Sequence, residues 1–355
     1  MLKNSKPIVG ISTGDPNGIG IEVILKSLAD KSILDLCCVV LFSNYELIER
    51  QISYFNIDLN PKEVDDFDSL DTNHVNVYPI NNKEINLSYG KLTTEGGKYS
   101  KDSLFTAVKA IKNKEIDALV TGPINKKNIQ SEDFQFKGHT DFLNEKFHGT
   151  SLMFMVSEEI KVALLTEHIP LSSVEDILNE NLIEFRVKEV FKSLSNDFGI
   201  KKPKVAVLSI DPHIGDQGVI GNADQKLLIP VLNKLYLDSY DVKGPFASDS
   251  FFGSKSYKKF DAIVAIYHDQ GLIPFKTLTF GKGVNFTAGL DIVRTSPDHG
   301  TAYDISGKNI ANYDSFKSAI FTNLFFIKSF KHNFLFCIFG WANYLQGQAS
   351  LLSLI

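Results

Sequence analysis

Three histidines share one local context. Lys161-Val-Ala-Leu-Leu-Thr166 runs into Glu167-His168, Lys204-Val-Ala-Val-Leu-Ser-Ile210 into Asp211-Pro212-His213, and Asp261-Ala-Ile-Val-Ala-Ile266 into Tyr267-His268-Asp269-Gln270-Gly271. Each apolar run has the Val, Ile and Leu content of a strand buried on both faces. In open α/β sheets ligands bind beyond the carboxyl ends of the strands, which is where each imidazole falls. Three neutral imidazoles leave a divalent ion its charge and open coordination positions, the pattern of a catalytic metal site. Taken singly, each histidine also reads as a hydrogen-bonded polar residue at a strand end. The shared context of all three favours the metal. Gly271 reads as a turn-permissive residue after the cluster.

Other stretches carry binding chemistry. Gly14-Asp-Pro-Asn-Gly-Ile-Gly20 links a strand to a helix and reads as an anion or substrate loop, or as a tight βα turn. Its spacing is not Gly-x-Gly-x-x-Gly, so it carries no dinucleotide fingerprint. Gly122-Pro-Ile-Asn-Lys126 and Gly138-His-Thr-Asp-Phe-Leu143 are loop-to-helix junctions suited to phosphate or carboxylate. His139 and Thr140 fit equally well as N-cap residues. Gly215-Asp-Gln-Gly-Val-Ile-Gly221 is a further glycine-rich loop. Asp249 is a lone carboxylate in another, open to proton transfer or to a solvated turn. From Lys276 through Gly281–Thr287 and Arg294–Asp304, charge and glycine are dense, the composition of a binding surface.

The elements that must position these residues alternate along the chain. Strands are expected at Pro7–Thr13, Leu36–Phe42, Val75–Tyr78, Ala118–Thr121 and Leu152–Val156, besides the three histidine-bearing runs. Helices are expected at Ile21–Leu28, from about Tyr45, at Ser100–Asn113, Ser172–Phe198 and Ala223–Tyr236. Residues 56–98 otherwise read as polar and irregular. This alternation predicts an α/β protein with mostly parallel sheets and right-handed crossovers. A length of 355 residues is enough for about two domains.

Composition narrows the function classes. The chain is 43% hydrophobic and 22% charged, ordinary for a soluble globular protein, and its net charge of −5 argues against nucleic acid as the main partner. Cys37, Cys38 and Cys337 fit neither a zinc spacing nor a disulfide framework. The N-terminus has no signal-peptide apolar region, so the expected address is the cytoplasm. Phe321–Phe339 is aromatic-rich but interrupted by Lys328, Lys331 and His332. It is read as a terminal helix packing on the body, not as a membrane span.

Taken together, the motifs resemble the 4-hydroxythreonine-4-phosphate dehydrogenase family of vitamin B6 biosynthesis, from Pro7 to Ser318. The matching stretches are Gly14–Gly20, Thr121–Lys126, Gly138–Leu143, His168-Ile-Pro-Leu171, Pro212-His-Ile-Gly215, Tyr267–Gly271 and Arg294-Thr-Ser-Pro-Asp-His-Gly-Thr-Ala302. The resemblance implies a two-domain α/β/α fold like the isocitrate and isopropylmalate dehydrogenases, with the active site in an interdomain cleft. The domains would be 1–125 plus 285–355 and 126–284. His168, His213 and His268 would hold one divalent ion (Zn, Mg or Co) across a homodimer interface, His168 from one chain and the other two from its partner. His139, Thr140, Lys276, Asn285 and Arg294 would bind substrate. His299, Gly300, Thr301, Ala302 and Asp304 would meet NAD or NADP, by similarity of His299–Lys308 to the cofactor loop His-Gly-Ser-Ala-Pro-Asp-Ile-Ala-Gly-Lys of those dehydrogenases. Asp249 or Lys276 would take the hydroxyl proton.

The reaction so implied is oxidation of 4-phosphooxy-L-threonine to a β-keto acid that loses CO₂. A sister dehydrogenase of 4-phosphothreonate or 4-phosphoerythronate, and a phosphate acyltransferase of related fold, are the competing readings. The chain departs from the family pattern at Ile21, where Pro is usual, at Asp211, where Asn is usual, and at Glu167, where Gly is frequent. The tail beyond Leu324 lacks the family's polar terminal helix.

Overall fold

The structure is a computed structural model that describes residues 6–81 and 85–331. Its strands, in chain order, are β1 (Ile8–Ser12), β2 (Cys38–Phe42), β3 (Pro61–Glu63), β4 (Val75–Tyr78), β5 (Ala118–Thr121), β6 (Gly149–Val156), β7 (Lys161–Leu164), β8 (Val205–Leu208), β9 (Val242–Phe246), β10 (Ala262–Ala265), β11 (Val284–Leu290) and β12 (Arg294–Pro297). They fall into two units, residues 6–149 with 290–328 and residues 150–289.

In the first unit the strand order is β3-β4-β2-β1-β5-β12. The pairs β3–β4, β4–β2, β2–β1, β1–β5 and β5–β12 are all parallel. Every residue of β2 and β5 is buried, as runs such as Cys38-Val-Val-Leu-Phe42 require when helices cover both sheet faces. The helix Gly20–Leu28 buries all but Lys26, including Glu22 at 1% exposure. Lys26 pairs with Glu22 at 2.7 Å, and Glu22 also accepts from Ala311 N at 2.9 Å. The last helix, Asp314–Lys331, lies on this sheet: Asn323 donates to Leu119 O at 3.0 Å and Thr295 Oγ1 to Ala319 O at 2.8 Å. Its residues Phe316, Leu324 and Phe326 are buried. The remainder of the expected tail, including His332 and Cys337, lies outside the described residues.

In the second unit the order is β11-β6-β7-β10-β8-β9. Strand β6 is antiparallel to β7, while β7–β10, β10–β8 and β8–β9 are parallel. The apolar core gathers Val162 and Leu164 of β7, Ile263 and Ala265 of β10, and Leu272 and Phe275 of the helix His268–Thr279.

Several boundaries differ from the sequence expectations. The helix expected at Ser100–Asn113 spans Thr94–Lys112, with Thr93 Oγ1 accepting from Gly96 N at 3.0 Å as its cap. Gly96 and Gly97 lower helix propensity and hide that first turn. The segment Ser172–Phe198 is not one helix. It breaks at Leu178, and Asn179 caps a new helix, Glu180–Asn196, by accepting from Leu182 N at 3.0 Å. The units change over at 149/150 and 289/290 instead of 125/126 and 284/285. Residues 126–149 stay with the first unit because buried Phe134 and Phe142 cluster with Phe105 of the Thr94–Lys112 helix. The Phe105 and Phe142 rings stack at 5.1 Å and 4°.

Candidate active site

In the second unit, the helix His268–Thr279 starts directly after β10, with Tyr267 as its extended N-cap residue. Gly271 is not a turn residue. A Cβ there would lie 2.9 Å from Ala265 Cβ and Val162 Cγ1, so its missing side chain lets the helix close onto β7 and β10. That contact sets His268 over the strand ends. Gln270 secures the same turn: its Oε1 accepts from Ile266 N at 2.6 Å, and its Nε2 donates to Ser209 O at 2.8 Å and Ser248 Oγ at 3.0 Å.

His268 Nδ1 meets Asp269 Oδ1 at 2.7 Å. A carboxylate on Nδ1 fixes the ring and directs Nε2 to any ligated ion, the usual support of a metal-binding imidazole. The His168 ring lies beside it, centroids 5.5 Å apart. Glu167 accepts from Met153 N at 3.3 Å, so this departure from the family pattern ties the turn to β6.

His213 sits in a different setting. It begins a left-handed stretch in which His213, Ile214, Asp216 and Gln217 all have φ between 42° and 60°. Such residues are strained, of order 1 kcal/mol each, and persist where surrounding bonds over-determine them. Here Asp224 accepts from Ile210 N and Asp211 N, both at 2.9 Å, and Asp211 from Ala223 N at 2.9 Å. Gln225 donates to Ile214 O at 2.8 Å. Asp211, the residue in place of the usual Asn, thus takes a backbone donor through a carboxylate oxygen. Among the described residues of the single chain, no group of three or more His, Cys, Asp and Glu side chains is placed to hold a metal ion. The chain brings His168 and His268 together. His213 lies close enough to Asp249 to add to the lowering of its carboxyl.

Asp249 opens the short helix Ser248–Gly253 and is exposed. Hydrogen bonds from the backbone and hydroxyl of Ser250 hold its carboxyl below the usual range, with His213 adding to the effect. Lys276 is exposed in the last turn of its helix, where the dipole favours a cation. Asn285 on β11 is half-buried with its Oδ1 shut off from solvent and unpartnered.

The first unit gathers Arg294, Thr121 and His139. Arg294 on β12 is 2% exposed, and its Nε and Nη2 donate to Thr121 Oγ1 at the end of β5, at 3.1 and 2.5 Å. Burial pushes its guanidinium down to about 9, which leaves it cationic at neutral pH. His139 begins the helix His139–Lys146 and is preceded by the extended Gly138, so neither His139 nor Thr140 caps it. Burial, then Arg294 and Lys126, hold the imidazole well below the usual histidine range, so it is neutral. Its Nε2 is closed off from solvent with no hydrogen-bond partner.

The loop His299–Lys308 packs on the turn Gly14–Gly20. Ile19 N donates to Thr301 O at 2.9 Å, Ser306 Oγ to Asn17 O at 2.6 Å and the Tyr303 hydroxyl to Asp15 Oδ2 at 2.8 Å. Gly300 has open space around it and Asp304 is exposed, so the side of the loop away from that turn is accessible. Thr121, Asp15 and Tyr303 were not singled out by sequence reasoning. The available signal was Tyr303 itself, which replaces the proline of the related cofactor loop.

Comparison with known proteins gives the family. The family model described as "Pyridoxal phosphate biosynthetic protein PdxA" matches residues 35–323. A 4-hydroxythreonine-4-phosphate dehydrogenase of Bacteroides thetaiotaomicron is 39% identical over 90% of this chain and 88% of its own length. One from Sulfurihydrogenibium is 39% identical over 88% of this chain and 96% of its own. The crystal structure of the Klebsiella pneumoniae 4-hydroxythreonine-4-phosphate dehydrogenase superposes with a TM-score of 0.78 at 29% identity, covering 92% of this chain and 99% of that one. A protein of Oceanobacillus iheyensis provisionally named D-threonate 4-phosphate dehydrogenase is 32% identical over 89% of this chain and 97% of its own length. By the extent of the family match and the identity to these relatives, the chain belongs to the PdxA family of pyridoxal phosphate biosynthetic proteins.

Proposed function

We propose that the protein is a nicotinamide- and divalent-metal-dependent dehydrogenase of 4-phosphooxy-L-threonine. The product, 2-amino-3-oxo-4-phosphooxybutanoate, loses CO₂ to give 3-amino-2-oxopropyl phosphate on the route to pyridoxal 5'-phosphate. The observation that carries this reading is Arg294, a fully buried guanidinium fixed on Thr121 beside a neutral His139 with an unpartnered Nε2. Burying a cation costs free energy that a bound phosphate or carboxylate offsets, through short charge-assisted bonds. His139 adds a hydrogen bond without repelling Arg294; Thr140 follows it in the same helix, and Lys126 lies near it. Asn285 offers an acceptor and Lys276 a further cation for the amino acid head.

The donor set suits a metal: imidazole ligands favour zinc or cobalt, and a nearby carboxylate admits magnesium. The ligands would be His168, His213 and His268, shared across a homodimer interface, and within one chain the His168 and His268 rings already lie 5.5 Å apart. When bound, the ion supplies Lewis-acid polarisation of the substrate hydroxyl and of the keto acid. His299, Gly300, Thr301, Ala302 and Asp304 would form the loop that holds a nicotinamide cofactor, which would supply the hydride acceptor. Asp249, kept ionised by Ser250, would take the hydroxyl proton, with Lys276 as the other candidate. No helix among the described residues is long and apolar enough to cross a membrane, and the cytoplasm is the proposed location.

A substrate panel followed by nicotinamide absorbance tests the assignment. Reduction should be fastest with 4-phosphooxy-threonine. Faster turnover of 4-phosphothreonate or 4-phosphoerythronate would reassign the substrate within the same chemistry. Acyl phosphate formation from acyl-CoA would replace the reading altogether.

A further inference from the structure

Asp15 is wholly buried, and its partners are neutral. Its Oδ1 accepts from Asn17 N at 2.9 Å, and its Oδ2 from Asn128 Nδ2 at 2.6 Å and the Tyr303 hydroxyl at 2.8 Å. Its own N–H donates to Pro123 O at 2.9 Å. A buried carboxylate is tolerated only with such a full set of donors. Here the donors come from three separate segments: the turn Gly14–Gly20, the loop after β5 and the loop His299–Lys308.

The last of these segments needs an anchor. Ala302 has φ 41°, a left-handed conformation that a residue with a Cβ holds only under constraint. Its neighbours supply the constraint, Thr301 through its carbonyl on Ile19 N and Tyr303 through its hydroxyl on Asp15. Gly18 permits the first contact, since a Cβ there would lie 2.6 Å from Thr301 O. In the related dehydrogenase loop a proline stands at the position of Tyr303 and restrains the backbone covalently. Tyr303 turns inward and replaces that restraint with a hydrogen bond. Strand β5 ends in Thr121, which holds Arg294, and the loop after it carries Lys126, which lies near His139.

We propose that Asp15 is a positioning residue that fixes the dinucleotide loop, through Tyr303, relative to the loop that runs on from Thr121 through Lys126. This rests on the reading of His299–Asp304 as the dinucleotide loop.

The test is direct binding of NADH or NADPH, whichever the wild type binds, to the full chain by fluorescence titration without substrate, with KM for the phosphorylated substrate measured separately. Tyr303→Phe should weaken dinucleotide binding about tenfold or more, the scale of one hydrogen bond to a charged group, and leave KM for the phosphorylated substrate within about twofold of wild type. Asp15→Asn should weaken dinucleotide binding and also raise that KM, because it disturbs Asn128 as well. Asp304→Ala, at an exposed position of the loop, and His299→Ala, at a half-buried one, serve as controls. If these controls weaken binding while Tyr303→Phe binds as wild type, the positioning role is refuted and the loop assignment stands. If all of them bind as wild type, the loop assignment fails and takes the inference with it.

Discussion

Arg294 spends two of its donors on a single hydroxyl, that of Thr121, across the parallel pair β12–β5. Thr121 therefore aims the guanidinium and does not merely fill space. Replacing Thr121 by Val leaves a buried charged donor short of an acceptor. The expected cost is about 1–3 kcal/mol of stability, read as a lower denaturant midpoint, together with a raised KM for the phosphorylated substrate. Wild-type values in both measurements would show that Thr121 has no part in positioning Arg294.

Arg294→Lys keeps the charge but loses the fork that meets Thr121 and, in the proposed site, would also meet the substrate phosphate. Discrimination between 4-phosphooxy-threonine and the unphosphorylated compound should narrow by tenfold or more, that is by at least about 1.4 kcal/mol. An unchanged ratio of kcat/KM values would place the phosphate elsewhere.

Gly271→Ala tests how His268 is held. The added methyl has no room against Ala265 and Val162 of the second unit. Overpacking should cost about 1–3 kcal/mol and displace the helix that starts with His268, lowering metal affinity measured by dialysis and elemental analysis. A variant with full stability and full metal content would show that Gly271 has no part in holding His268.

The positioning elements were largely legible in the sequence, and their finer roles were not. Val- and Ile-rich runs announce β7, β8 and β10 because a strand buried on both faces needs little but apolar, β-branched residues. The same pattern cannot say whether Gly271 supplies a backbone angle or an absent side chain, since both uses select the same residue. Asn179 is a capping residue in plain view, yet the apolar periodicity on either side of it reads through the break. The left-handed turn at His213 has no periodic signal, being imposed by Asp211, Asp224 and Gln225 from outside it. Arg294–Thr121 and Asp15–Tyr303 join residues 173 and 288 positions apart. Only a fold brings such pairs together.

Asp197 gives a pH-dependent prediction remote from the chemistry. It is 6% exposed, receives the Ser193 hydroxyl at 2.6 Å, and burial pushes its carboxyl up to about 6 from 3.8. A carboxyl raised in the folded state favours its protonated form there, so stability is full below about pH 4 and declines as pH rises to about 6. Raising a carboxyl by about two pH units corresponds to a loss of roughly 3 kcal/mol above that window. Asp197→Asn keeps an acceptor for Ser193 and removes the ionisation. The variant should melt higher than wild type at pH 7.5 and close to it at pH 4. Equal melting temperatures at both pH values would show that Asp197 ionises freely in the fold.

The central claim is that this site oxidises a phosphorylated hydroxy-amino acid and then releases CO₂. Reduced nicotinamide and CO₂ should be measured together, with 4-phosphooxy-threonine and a divalent ion, for wild type and for His268→Ala. Wild type should yield equal amounts of the two products, with both lost on chelation and in the variant. Undiminished turnover by His268→Ala in chelator, or reduced cofactor without CO₂, would contradict it.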